Sequence, residues 1–149
     1  MFSLIISIIA IALVAALALA SIYYGGDAFQ EGTAKAEAST VINQGQQVQA
    51  AVTMSEIDEQ AYFEGANVAE TSLNALVTGD YLKEVPGVRD QNWEKVASED
   101  FITMDVVNAD VCEYIEEAFD GVSTVPSARE DQAFGCFGDG TTHTAYYKL

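Results

Sequence analysis

The pattern of apolar and polar positions divides the chain at one point. Residues 4–24, LIISIIAIALVAALALASIYY, are apolar on every side and carry no charge, and the first charged residue is Asp27. Twenty-one such positions make about 30 Å of helix, enough to cross a bilayer. From Asp27 to about Asp58 the pattern becomes amphipathic. Ala34, Ala38, Val41, Gly45, Val48 and Val52 recur at three- and four-residue steps, with no proline, and predict a helix with one buried stripe. Glu31 and Lys35 stand in the favoured i,i+4 order on that helix. Its remaining faces, rich in Gln and Asn, read as solvent-exposed, with a subunit contact as the alternative.

Further along, the elements shorten. Residues 69–88 (AETSLNALVTGDYLKEVPGV) predict a second helix, a Gly-Asp turn and a short segment ending at Pro86-Gly87. Apolar–polar alternation in FITMDVV, within residues 92–110, predicts one or two strands. Residues 110–119 (DVCEYIEEAF) predict a short helix. Val111, Tyr114, Ile115 and Ala118 would face inward, and Glu113, Glu116 and Glu117 would be solvated. The C-terminal FGCFGDGTTHTAYYKL predicts a hairpin: a strand at 134–137, a turn at Gly138-Asp139-Gly140, and a strand over THTAYYKL. A long helix followed by a small antiparallel sheet, in segregated order, is α+β architecture. The domains follow from the pattern: residues 1–26 as a hydrophobic helix and 27–149 as a globular unit.

Charge narrows the function. The chain has 23 Asp+Glu against 6 Lys+Arg, a net charge of −17 in 149 residues. Such a surface repels nucleic acid, so direct nucleic-acid binding is not expected. The apolar segment lacks the basic n-region of a secretory signal, since the first basic residue is Lys35, so it reads as retained rather than cleaved. Its alanines (10, 12, 15, 16, 18 and 20) narrow the helix and suit close packing against copies of itself. The two cysteines, Cys112 and Cys136, form no CxxC. With the rest of the chain outside the cytoplasm they read as one disulfide, contributing roughly 3–4 kcal/mol on the chain-entropy model; two separate buried thiols are the alternative.

Catalytic signals are thin. The single histidine, His143, lies in the last predicted strand with no companion at metal-ligand spacing, and no GxSxG, P-loop or HExxH occurs. The GDG at 138–140 lacks the ligand spacing of a calcium loop and reads as a turn. The expectation is a non-enzyme without cofactor or metal.

The order of these features resembles the type IV pilin family, nearest its type IVb branch. The resemblance spans nearly the whole chain: MFSLIISIIAIALVAALALASIYY, then AKAEASTVINQGQQVQAAV, then LVTGDYLKEVPGV, then Cys112 and Cys136 with FGCF and the terminal YYKL. It implies an inner-membrane anchor that later becomes the core of an extracellular helical filament of identical subunits. Leu4, Ile5, Ile8, Ile9, Leu13 and Leu17 would lie in that core, and the pilus assembly machinery would be a partner. Adhesion, motility, DNA uptake or conjugation would depend on the outer surface. Three departures matter. The family's usual glutamate at mature position five is absent: Ile5 stands there, and a minor pilin or type II secretion pseudopilin is the runner-up reading. No basic leader ending in glycine precedes Met1, which implies either a mature chain, with Met1 the candidate for N-methylation, or a protein without a leader. No glycine or proline interrupts the apolar segment before Gly25-Gly26, so this pair is the expected hinge, with any extended stretch of the assembled form at Tyr23–Asp27. A reading from another class is a single-span membrane protein with an acidic ligand-binding domain.

Overall fold

The computed structural model describes residues 2–58, 73–96 and 99–149. It is α+β and pilin-like: one long N-terminal helix followed by two small antiparallel sheets. The helix α1 runs from Phe2 to Ile57, 56 residues. Proline is absent from it, and Leu, Ile, Ala, Glu and Gln, all good or tolerable helix formers, fill most of its positions. In the single chain α1 continues through Gly25 and Gly26 without a break. Each glycine lowers helix stability by about 1 kcal/mol relative to alanine. An interior residue of a long helix still makes its backbone hydrogen bonds, so this cost alone need not end the helix.

The chain divides into two compact units, Met1–Thr33 and Ala34–Leu149. Composition changes at Asp27, but burial changes at Ala34, the first buried position among the described side chains. In the second unit the expected stripe is buried at every position: Ala34, Ala38, Val41, Gly45, Val48 and Val52. The amides are not all exposed, as the sequence had suggested. Gln44 and Gln49 flank the stripe and are half-buried. The Gln44 side chain donates to the Gly87 carbonyl at 2.9 Å, and that of Gln49 to the Lys148 carbonyl at 3.3 Å. A residue one position away from a buried one lies near the rim of the contact, where an amide can reach an unpaired backbone group.

Of the predicted second helix, residues 69–72 lie outside the described residues; α2 covers Asn74–Thr78. The expected turn follows, with Asp80 rather than Gly79 in the left-handed region, at φ 63°. Asp tolerates that conformation better than most residues with a Cβ. A hairpin the sequence did not announce comes next: β1 (Gly87–Val88) pairs with β2 (Gln91–Asn92). The main sheet has the order β3-β4-β6-β5, all antiparallel, from β3 (Glu94–Lys95), β4 (Phe101–Val106), β5 (Phe134–Gly138) and β6 (His143–Lys148). The two predicted C-terminal strands and their hairpin are present. Asp139 holds the turn, its Oδ1 accepting from the backbone N–H and hydroxyl of both Thr141 and Thr142.

The helix α3 (Ala109–Asp120) lies between β4 and β5 in sequence. Asn108 caps its start by accepting from the Asp110 N–H, and Gly121 ends it at φ 79°. The core joins the α1 stripe to Leu76, Trp93, Ile102, Met104, Ile115 and Tyr147. Full burial of a Val, Leu or Ile side chain stabilises by about 1.5–3 kcal/mol. At Gly45 α1 lies close against the sheet. A Cβ there would come within 2.6 Å of the Tyr147 ring, so only glycine admits the tyrosine.

Candidate functional site

The first candidate surface is the Met1–Thr33 unit. Every described side chain in it is exposed. The six positions expected in a filament core are spread around the helix rather than along one face, because at 100° per residue positions 4, 5, 8, 9, 13 and 17 span more than half a turn. Leu4, Leu13 and Leu17 expose 60–67%, and Ile5, Ile8 and Ile9 52–58%. Ser7, one of the few polar residues here, turns its hydroxyl back to the Ser3 carbonyl at 2.7 Å. The helix is long and apolar enough to cross a membrane. A cylinder that is apolar on all sides needs apolar surroundings on all sides, which lipid or a bundle of several helices supplies and a single coiled-coil partner does not. Ala10, Ile11, Val14, Ala15 and Ala18 form a shallow trough along it. Tyr23 and Tyr24 end the segment edge-to-face, ring centroids 5.6 Å apart. Met1 lies outside the described residues, and so does the candidate N-methylation site.

The second candidate is the region around the disulfide. Cys112 and Cys136 are bonded and fully buried, and tie α3 to β5. Beside them the sequence reading needs correcting. Glu113 and Glu117 are exposed as expected, but Glu116 is buried, at 4% exposure. Its Oε1 accepts the backbone N–H of Cys136. The reason is periodicity: Glu116 follows Cys112 by four residues, so it shares the helix face that the disulfide holds against β5. The cysteine was the available signal, and the charge of Glu116 concealed it. Ala118 departs in the other direction. It is exposed, at the rim of a groove of about 440 Å³ with Lys35, Ser39, Ile42 and Tyr114.

Burial pushes the Glu116 carboxyl above its ordinary value of 4.5; the Cys136 N–H opposes this, and the negative Asp120 and Glu130 add to it. The Tyr146 hydroxyl is likewise pushed up, by burial and then by Glu116. Gly135 makes room for both groups: a Cβ would stand 2.6 Å from the Tyr146 hydroxyl and 2.7 Å from Glu116 Oε1. Together these contacts cover part of the outer edge of the sheet. Of the N–H groups that β5 turns away from β6, that of Cys136 goes to Glu116 and that of Gly138 to the Pro126 carbonyl at 3.0 Å. An edge strand with two of its outward donors occupied is a poorer template for another strand.

His143 is half-buried in β6, opposite Gly138 and Val106. Among the described residues, no three His, Cys, Asp or Glu side chains come together as a metal site would require. The four hydrogen bonds to Asp139, from Thr142 and Thr141, hold its carboxyl well below the usual carboxylate range and commit one of its oxygens to the turn.

Comparison of the chain with protein-family models, with curated proteins and with solved structures finds no match.

Proposed function

We propose that this chain is a structural subunit of a type IV pilus-like filament, held in the inner membrane by the first turns of α1 and then polymerised on the outside of the cell. The observation that carries this reading is the contrast within one helix: residues 2–26 carry no charge and expose apolar side chains all round, and residues 34–52 bury a stripe in a disulfide-linked α+β unit. Polymerisation replaces lipid around the cylinder by neighbouring copies, and the operation is head-to-tail and open. The acidic units form the outer surface. Ile5 removes the buried carboxylate that most of the family places at this position, and with it the desolvation cost of a charge in the core. The hinge is then Gly25-Gly26, and the assembled form is expected to open the helix there.

The experiment is negative-stain imaging of material sheared from cells that express the chain, with the chain identified in the filaments by mass spectrometry. Uniform filaments composed mainly of this chain are the expected result. Recovery solely as a detergent-soluble monomer rejects the filament and favours a single-span anchor for an acidic binding domain. Ile5 supports a second reading, a minor pilin or pseudopilin, and filaments that contain this chain only in trace amounts would select it.

A further inference from the structure

Resting on the filament reading, we infer that polymerisation of this chain is controlled by small cations acting as a screening atmosphere, because the subunit has almost no positive charge to offer a neighbour. All its charge lies from Asp27 onward, and each copy carries −17. Bundling the uncharged segments before Asp27 therefore gathers the acidic units around them. Polar contacts between copies relieve such repulsion where basic side chains are available to pair across the interface.

Five of the six basic residues are engaged within their own chain. Arg89 pairs with Glu37 at 2.7 Å. Arg129 pairs with Glu99 and lies over the Phe101 ring, 4.1 Å from its centroid. Lys148 pairs with Asp131 at 2.8 Å. Lys95 donates to the Glu99 carbonyl at 3.3 Å, and the Lys35 ammonium lies over the Tyr114 ring at 4.9 Å. Among the described residues, Lys83 alone is an exposed basic group without such a contact. One lysine cannot offset seventeen net negative charges. The carboxylates, for their part, are dispersed: among the described residues no three gather to hold a metal ion. The countercharge is therefore diffuse, and ionic strength sets it rather than the identity of a bound ion. The screening length falls from about 30 Å at 0.01 M salt to about 10 Å at 0.1 M and about 3 Å at 1 M. Subunits repel across their whole width at the low end and only at direct contacts at the high end.

The test uses the full chain in detergent, with the detergent removed by dialysis across a range of NaCl and, at matched ionic strength, MgCl2; sedimentation and negative-stain imaging read the yield of filaments. The expected yield rises at least about tenfold from 0.01 M to 0.5 M ionic strength, on one curve for both salts. Charge variants separate screening from simple salting-out of the apolar helix. Each reversal changes the charge by two, so Lys83→Glu takes −17 to −19, and Glu84→Lys with Glu113→Lys takes it to −13. These three side chains are exposed and make no hydrogen bond or ion pair among the described residues, and circular dichroism checks that the fold is retained. The midpoint ionic strength is expected to rise for the first variant and to fall about twofold for the second. A midpoint that ignores these charges, equal yield at 0.01 M, or filaments with magnesium alone overturns the inference and leaves the filament reading standing. Absence of filaments in every condition overturns both.

Discussion

The two halves of α1 obey opposite rules although the backbone is the same helix. In Met1–Thr33 no described side chain is buried and no helical face is distinguished. In residues 34–57 one face is dry, the opposite face is polar, and amides on the border bond to strand carbonyls. The glycines make the contrast sharp. At Gly25, Gly26 and Gly32 a Cβ would meet nothing within 4 Å, but at Gly45 it would meet the Tyr147 ring. The single chain accounts for Gly45 by packing and gives the other three no packing reason. An exposed helical glycine costs stability without a return from packing inside the subunit.

The most severe way to break the comparison is to place a charge in the first half before Asp27. Ile9→Asp places a carboxylate in a cylinder that has none before Asp27. An unpaired charge costs several kcal/mol in a protein core and roughly 2.5–3.5 kcal/mol at the centre of a membrane-spanning helix. Filament yield is expected to fall below detection in sheared fractions, with the thermal transition of the Ala34–Leu149 unit unchanged. Filaments at wild-type yield would show that Ile9 does not enter an apolar core.

Next in size is the link that holds α3 to β5. Replacement of Cys112 and Cys136 by alanine, or reduction of the bond, is expected to cost about 3–4 kcal/mol, by loss of a loop constraint across 24 residues. Chemical denaturation with and without reductant measures it. The far-ultraviolet signal of the first half of α1 should not follow that transition. A coincident loss would mean that the two regions are energetically one.

The glycines supply the third and fourth tests, which have opposite signs. Gly45→Ala forces a methyl group against Tyr147 and is expected to destabilise by about 1–3 kcal/mol, seen as a lower midpoint in denaturant. Gly25→Ala with Gly26→Ala fills open space and should stabilise the helix by about 1 kcal/mol per site, seen as higher helicity on heating in detergent. If the hinge is used in assembly, the same double variant reduces filament yield. Unchanged yield removes Gly25-Gly26 as the hinge.

The α1 stripe, β4, α3 and the C-terminal hairpin were legible in the sequence because each repeats a period over several residues. Every stripe position from Ala34 to Val52 was placed correctly for that reason. The β1–β2 hairpin was not, since two-residue strands around Arg89-Asp90 carry no period to read. Gln44 and Gln49 were misread because a polar residue at the border of a stripe resembles one beyond it until the opposing carbonyl is known. Ala118 was misplaced because α3 meets the sheet over a narrower arc than its apolar residues span. The apolar first segment was fully legible in composition, but what surrounds it is not written in one chain.

Glu116 is the smallest test and the one that reaches deepest into the comparison. The first half of α1 excludes charge up to Asp27, yet the second unit buries a carboxylate beside its disulfide. The cost is tolerated because Glu116 occupies the N–H of Cys136 and so helps cover the β5 edge. Its folded carboxyl titrates above the ordinary value of 4.5. The stability linked to it is fully present below about pH 4.5 and is lost as pH rises through the raised folded value; above that the penalty is constant. Glu116→Gln keeps the acceptor oxygen and removes the titration. Thermal midpoints of the two proteins, measured from pH 4 to 8, should therefore diverge as pH rises, with the variant higher at neutral pH. Parallel curves would mean that Glu116 is as well solvated in the folded chain as in the unfolded one, and the covered part of the edge would then owe nothing to a buried charge.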